Sequence, residues 1–368
     1  MPKTQKPQID PWGAVLIEDY SRLIKDFGLE QFDAKALREF PRPNAQMRRG
    51  VAFAGQGLAE IASAIKHKKP FYVLTGIMPS SEKLHFGNRL VIENVKYFQE
   101  RGAHTFVLVA DLEAAATRGI TLEEAKKRAM NFHIPAYIAM GLDPKRTTFY
   151  FQSENSDVRN LAYLFSAKVT KNEFEAIYGS TVPNKVFSAL TQVGDILYPQ
   201  MKERMPGIIP VGADQSPHIR FSRDLVRRTK TRFDFFLPSA LYNKFTPSLN
   251  GDFKMSKSVP EHYISIPDDP KTAGKKMLRA LTGGRNTVEE QKKLGGQPEK
   301  CVVFEFYKQH LVQDDAELQK IYDNCKKGKL LCGEDKQNAC RMMEQFMQDF
   351  QKKFNAAKKK TKSLKFVK

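Results

Sequence analysis

With 368 residues, 41% hydrophobic and 27% charged, the chain has the balance of a globular protein of two or three domains, not of a disordered or fibrous one. Its formal net charge of +19 favours a polyanionic partner, most simply nucleic acid. No stretch approaches the length of a membrane span, and the opening MPKTQKPQIDPWG has no apolar leader core, so a cytoplasmic setting without membrane contact is expected.

Residues 1–49 are mixed: a polar, proline-bearing start, an amphipathic piece around Tyr20–Phe27, then Pro41-Arg42-Pro43. They read as an N-terminal extension folded against a larger body. From Lys69-Pro70 the pattern changes. Phe71-Tyr72-Val73-Leu74-Thr75-Gly76 is a short apolar run closed by glycine, which predicts a buried strand. Helical spacing follows over 90–101 (Leu90, Val91, Val95, Phe98), then an apolar strand over 106–110, a helix-rich region over 122–140 and a strand over 148–151. Strand, helix, strand at this spacing predicts a parallel sheet. Residues 157–206 are helical in pattern, an insertion between two halves of the sheet. A strand resumes at Gly207-Ile208-Ile209-Pro210-Val211-Gly212, with a helix behind it over 222–230. Beyond Pro270 the pattern is helical over 271–281, 287–294, 302–311, 316–326 and 334–354, with no strand signal. The acid-free tail from Lys358 is expected to be disordered when free. The four cysteines, Cys301, Cys325, Cys332 and Cys340, all fall in this last part; without a CxxC pair they suit neither a zinc site nor a disulfide framework.

The fold class is therefore α/β. An N-terminal extension (1–49) precedes a Rossmann-like parallel-sheet domain (50–270) with a helical insertion at about 157–206. An all-α domain (271–356) and a basic tail (357–368) follow.

Three loops carry chemistry. After the first strand comes Pro79-Ser80-Ser81-Glu82-Lys83-Leu84-His85-Phe86-Gly87-Asn88, leading into a helix. A helix N-terminus behind a parallel strand offers unpaired N–H groups and a positive dipole end, a ready phosphate site. Glycine at 87 would let a flat base lie against bare backbone, and His85 and Asn88 can turn to one side and donate to phosphate oxygens. Standing alone, HxGN fits a capping loop as well. The second loop is Gly212-Ala213-Asp214-Gln215 at a strand's carboxyl end, where open α/β sheets bind ligands. Gly212 permits close approach, and Asp214 either accepts from ribose hydroxyls or caps the next helix. The third is Gly251-Asp252-Phe253-Lys254-Met255-Ser256-Lys257-Ser258 between Pro247 and Pro260. Two lysines with hydroxyls between them suit a polyphosphate whose charge develops as it leaves; a solvated basic turn is the plain alternative.

HFGN and KMSKS, in that order and about 170 residues apart, resemble the HIGH and KMSKS signatures of class I aminoacyl-tRNA synthetases. Asn88 stands where the signature has its second histidine; its amide also donates. The GxDQxPHxRxxRD pattern from Gly212 to Asp224 is similar to the tryptophanyl-tRNA synthetase branch, especially its archaeal and eukaryotic members. So are Asp10-Pro11-Trp12, Lys69-Pro70-Phe71-Tyr72, and Thr282-Gly283-Gly284-Arg285 through Gly295-Gly296. The likeness covers nearly the whole chain.

The resemblance implies a two-step reaction, with ATP and L-tryptophan giving tryptophanyl-AMP and pyrophosphate, then acyl transfer to tRNA(Trp). Phosphoryl chemistry of this kind rests on positioning and charge neutralisation. It implies His85, Asn88, Lys254 and Lys257 as the catalytic groups. An ATP site would be drawn from Pro79, Ser80, Gly87, Gly212, Asp214, Gln215, Met255, Ser256 and Ser258 beside them. Mg²⁺ would travel with the nucleotide, and no protein-bound metal is expected. For the amino acid, Gln192 and Asp195 lie one helical turn apart and could face the substrate amine and ring N–H, while Glu113, after a strand, is a candidate acceptor for the indole N–H. Each is as readily a polar group on a helix surface. Eukaryotic members carry polar residues where this chain has Leu74, Leu108 and Ala110, so Leu74 is expected in the pocket and their way of reading the indole does not transfer. Tyrosyl enzymes use a similar Gln-x-x-Asp turn, which keeps tyrosine as the runner-up; a non-catalytic RNA-binding relative is a further alternative. The resemblance also implies an anticodon-reading helical domain and a homodimer joined through residues 157–206. The basic tail either adds affinity for tRNA or only solubilises.

Overall fold

The apolar runs expected as strands lie side by side. The computed structural model describes residues 20–252, 254–255, 259–361 and 363–367; Asp10-Pro11-Trp12, Phe253, Ser256, Lys257 and Ser258 lie outside them. Among the described residues are ten strands: β1 (Glu30–Gln31), β2 (Ala52–Gln56), β3 (Tyr72–Ile77), β4 (Leu84–His85), β5 (His104–Val109), β6 (Thr147–Phe151), β7 (Gly207–Gly212), β8 (Ser239–Asn243), β9 (Ser265–Ile266) and β10 (Phe366–Val367). Eight form one sheet in the order β1-β2-β8-β7-β3-β5-β6-β10. It is parallel from β8 to β10 and antiparallel where β2 meets β8 and β1.

Both faces of the sheet are covered, which is why its central strands are continuously apolar and not alternating. Val73 and Ile77 of β3, with Val107 and Val109 of β5, join the core on one face. Tyr72, Leu74, Phe106 and Leu108 join the core on the other. The helix Phe86–Glu100 lies on the first face, burying Ile92, Val95 and Phe98. The helices Ser156–Ser166, Pro183–Leu197 and Ser216–Arg228 lie on the second. The first two belong to the expected insertion. The helix expected over 222–230 begins at Ser216 instead, because Pro217 suits a first turn, where no N–H partner is needed.

From β3 the chain steps to β5 and β6 on one side, then returns to place β7 and β8 on the other. The switch therefore lies between β3 and β7, where a crevice opens at the strands' carboxyl ends.

Several elements were not expected, among them the two five-residue strands β2 and β8. β2 (Ala52-Phe53-Ala54-Gly55-Gln56) and β8 (Ser239-Ala240-Leu241-Tyr242-Asn243) are rich in small and polar residues with weak strand preference. Pairing with each other and with β7 makes them strands. The helix Leu58–Lys66 follows β2.

The last part of the chain is helical through Lys326, then forms a helix of 30 residues, Cys332–Thr361. Its Met343, Met347, Phe350 and Phe354 share one core with the first face of the sheet, so no break in packing separates the C-terminal helices from the sheet. The tail departs from expectation. It completes that helix and then adds β10 alongside β6, with the Phe366 ring 5.0 Å from that of Phe151. Phe366, not charge, decides its fate. At the other end, Arg49 ties the N-terminal extension to the C-terminal helices. It donates to the Lys308 and Val312 carbonyls at 2.9 and 2.7 Å and pairs with Asp315 at 2.7 Å.

Candidate active site

A cavity of about 350 Å³ occupies the crevice between β3 and β7. Leu74, Leu108, Ala110, Ile209 and Val211 give it apolar walls, while Asn88, Glu113, Gln152, Gln192, Asp195 and Gln215 bring polar groups to its edge. Of the sequence-predicted residues, Leu74, Glu113, Gln192, Asp195, Asn88, Gly212 and Gln215 thus meet in one place.

The HFGN turn stands at the mouth. His85 caps the helix Phe86–Glu100, and its backbone N–H donates to Asn88 Oδ1 at 3.1 Å. That bond turns the Asn88 amide so that its Nδ2 end holds the donors available to a phosphate. A β-carbon at position 87 would stand 2.9 Å from the His85 ring, so glycine there first makes room for the imidazole. Upstream, Pro79 is buried, and the Ser80 carbonyl accepts from the Arg128 guanidinium, fixing the loop's shape.

The strand that follows the lysine segment meets this turn from far along the chain. β4, which contains His85, pairs with β9, ten residues beyond Met255, and sets His85 opposite Ser265. Lys254 Nζ donates to Asp214 Oδ2 at 2.8 Å, linking the segment to the loop after β7. Asp214 is therefore the lysine's partner and not the cap of the following helix, whose N-cap is Gln215. A β-carbon on Gly212 would come within 2.6 Å of Asp214 Oδ1, so glycine leaves that carboxylate its place. Met255 differs from the expectation of a nucleotide contact: its side chain is buried in the core and its N–H donates to the Thr246 carbonyl at 2.8 Å. It anchors the segment. Lys257, Ser256 and Ser258 lie outside the described residues.

At the inner end Asp195 is fully buried. Tyr150 O–H donates to its Oδ1 at 3.0 Å and Gln152 Nε2 to its Oδ2 at 2.6 Å. Burial pushes the carboxyl up to about 8, with the two hydrogen bonds opposing and the charges of Glu113 and Asp111 adding. Asp195 thus lines the cavity while each of its oxygens also serves a protein donor. His218, also lining the cavity, is buried with Nδ1 3.0 Å from Tyr178 Oη, and burial pushes its imidazole down to about 3. It is neutral at physiological pH.

Residues 66–348 match the family model described as tRNA synthetases class I (W and Y). The tryptophan–tRNA ligase of Aeropyrum pernix is 44% identical over 95% of this chain and 96% of its own length. That of Methanocaldococcus jannaschii is 39% identical over 95% and 96%. The crystal structure of the Aeropyrum pernix tryptophanyl-tRNA synthetase superposes with a TM-score of 0.89, covering 96% of this chain and 98% of that one. The chain belongs to the tryptophanyl-tRNA synthetase family, within class I.

For a member of this family, the sequence reading missed several residues that build the pocket. Tyr150 and Gln152 sit at the end of β6, and Tyr137 donates to the Gly76 carbonyl at 3.1 Å. Gln152 directly follows an expected strand, so its place at a carboxyl end was a usable signal. Tyr137 lies in a helix in an ordinary apolar pattern and carried none.

Proposed function

We propose that this aminoacyl-tRNA synthetase seats the indole of L-tryptophan in the cavity between β3 and β7, with ATP between the HFGN turn and the lysine segment. The observation that carries the reading is an apolar cavity with a polar rim that Asn88 of the HFGN turn and Gly212 and Gln215 of the loop after β7 both line, the second loop holding Lys254 through Asp214.

In the first step a carboxylate oxygen of tryptophan attacks the α-phosphorus of ATP, and the bond to the bridging oxygen breaks. Pyrophosphate leaves with the electron pair and tryptophanyl-AMP remains. No protein nucleophile is needed. His85 and the Asn88 amide donate to phosphate oxygens. Lys254 exchanges the Asp214 carboxylate for the departing pyrophosphate, and Asp214 so released accepts from the ribose hydroxyls. Lys257 acts beside Lys254. These groups stabilise charge as it develops, the interaction that accelerates a phosphoryl transfer. Mg²⁺ arrives with ATP as part of the substrate. In the second step the 2′-hydroxyl of the terminal adenosine of tRNA(Trp) attacks the acyl carbon, and AMP leaves.

Tyrosine, the runner-up on the Gln-x-x-Asp turn, is disfavoured because relatives at 44% and 39% identity are named as tryptophan–tRNA ligases. A second copy of the chain would dock on the insertion. There Tyr163 and Phe187 are 78% and 70% exposed beside a groove lined by Ala162, Val186 and Leu190, apolar surface of the kind that marks an interface. The C-terminal helices and the net charge of +19 suit tRNA, and the cytoplasm is where that substrate is charged. Among the described residues no helix is long and apolar enough to cross a membrane.

The test is ATP–pyrophosphate exchange by the purified full chain. Exchange that depends on L-tryptophan and not on L-tyrosine is expected. Exchange with neither would overturn the reading.

A further inference from the structure

We infer that Gln152 is the group that reads the indole N–H, and that Asp195 acts as the residue that aims it. The inference rests on the reading that the cavity takes tryptophan.

An indole buried in an apolar pocket brings one N–H donor, which must find an acceptor or forfeit its hydrogen bond to water. Along this cavity the obvious candidates are carboxylates. Asp195, however, is fully buried and already accepts one hydrogen bond on each oxygen, from Tyr150 and from Gln152. Gln152 is in the opposite condition. Only 1% of it is exposed, it lines the cavity, and its Oε1 is buried without a partner. Natural structures rarely leave such an atom unserved without a reason.

Once the Asp195 carboxyl is ionised, the amide cannot rotate to hide that oxygen. Its Nε2 donates to Asp195 Oδ2 at 2.6 Å, and a flipped amide would set oxygen against oxygen. Tyr150 O–H holds the other side of the same carboxylate, so the chain Tyr150–Asp195–Gln152 fixes which end of the amide is left over. The backbone adds a third restraint, because Gln152 N–H donates to the Val109 carbonyl at 3.1 Å. The result is a neutral acceptor of fixed direction at the carboxyl end of β6. A neutral acceptor suits a neutral donor, since no charge has to be desolvated when the indole enters. Leu74, Leu108 and Ala110 line the same cavity without offering an acceptor on their side chains, so Gln152 takes over that role.

The experiment compares L-tryptophan with β-(3-benzothienyl)-alanine, in which sulfur replaces the ring N–H at nearly the same shape, in ATP–pyrophosphate exchange above pH 8, where Asp195 is ionised. The wild type should prefer tryptophan in kcat/KM by roughly 10- to 100-fold, the discrimination set by a site whose buried acceptor is left unpaired. In Gln152→Met that preference should collapse to within about threefold, mainly through KM for tryptophan, while KM for ATP stays put. Glu113→Ala should keep the preference. The proposal is overturned if the wild type uses both amino acids equally, which needs no variant to fold. It is also overturned if Gln152→Met retains the preference, or if Glu113→Ala is the variant that loses it. Failure of the pocket assignment looks different, because the wild type would then exchange with neither amino acid.

Discussion

Replacing Asp195 by asparagine removes a titrating group that burial works against. Its carboxyl is pushed up to about 8 by burial, with the hydrogen bonds from Gln152 and Tyr150 pulling the other way. In the unfolded chain an aspartate titrates at about 3.9. Between those values the folded state holds a proton that the unfolded state has released. The stability this group contributes is therefore complete below about pH 4 and is lost as the pH rises through about 8. One such proton corresponds to a slope of about 1.4 kcal/mol per pH unit. Asparagine has no proton to lose, and its amide can keep one of the two bonds well while disturbing the other, an offset of roughly 1–2 kcal/mol that does not change with pH. Urea unfolding of wild type and Asp195→Asn at several pH values between about 5 and 7.5 isolates the effect, because every other titration cancels in the difference. The variant should gain on the wild type by about 1.4 kcal/mol per unit, about 3 kcal/mol across the range. Parallel curves would refute the reasoning, since Asp195 would then be ionised in the folded protein throughout.

Lys254→Ala should lower kcat for ATP–pyrophosphate exchange by roughly 100- to 1,000-fold, as the loss of one preorganised charge-stabilising group does, with tryptophan affinity by equilibrium dialysis unchanged. Phe187→Asp, at an exposed apolar position of the insertion, should halve the particle mass seen by light scattering and leave the circular dichroism spectrum intact. Phe366→Ala, which removes the ring packed on Phe149 and Phe151, should lower stability by roughly 1–2 kcal/mol in denaturant unfolding, about half the loss typical of a fully buried phenylalanine. A tail without structure would show no change.

The central strands and the helices behind them were legible because both signals, apolar runs and helical spacing, are local. The two flanking strands were not. Ala52, Ala54 and Gly55 of β2 become strand only because β8 lies alongside, a partner almost two hundred residues away. The tail misled for the same reason, since eleven mostly basic and polar residues hide one Phe366 that finds a sheet edge. At the site, motif residues were readable one loop at a time, while their pairings were not. Lys254 was read as a phosphate ligand and Asp214 as a ribose acceptor, yet without nucleotide they hold each other. Met255, in the middle of a signature, turns inward as an anchor beside Lys254. Asp195 and Gln192 were legible as a pair on one helix; the donors that occupy Asp195 come from β6 and leave no trace in the local pattern.

The most direct measurement is a crystal structure of the full chain with a non-hydrolysable tryptophanyl-adenylate analogue. The account predicts the phosphate within hydrogen-bonding distance of His85 and Asn88, the ribose on Asp214 with Lys254 displaced from it, and the indole between β3 and β7. An analogue bound with its phosphate remote from both the HFGN turn and the lysine segment would contradict it.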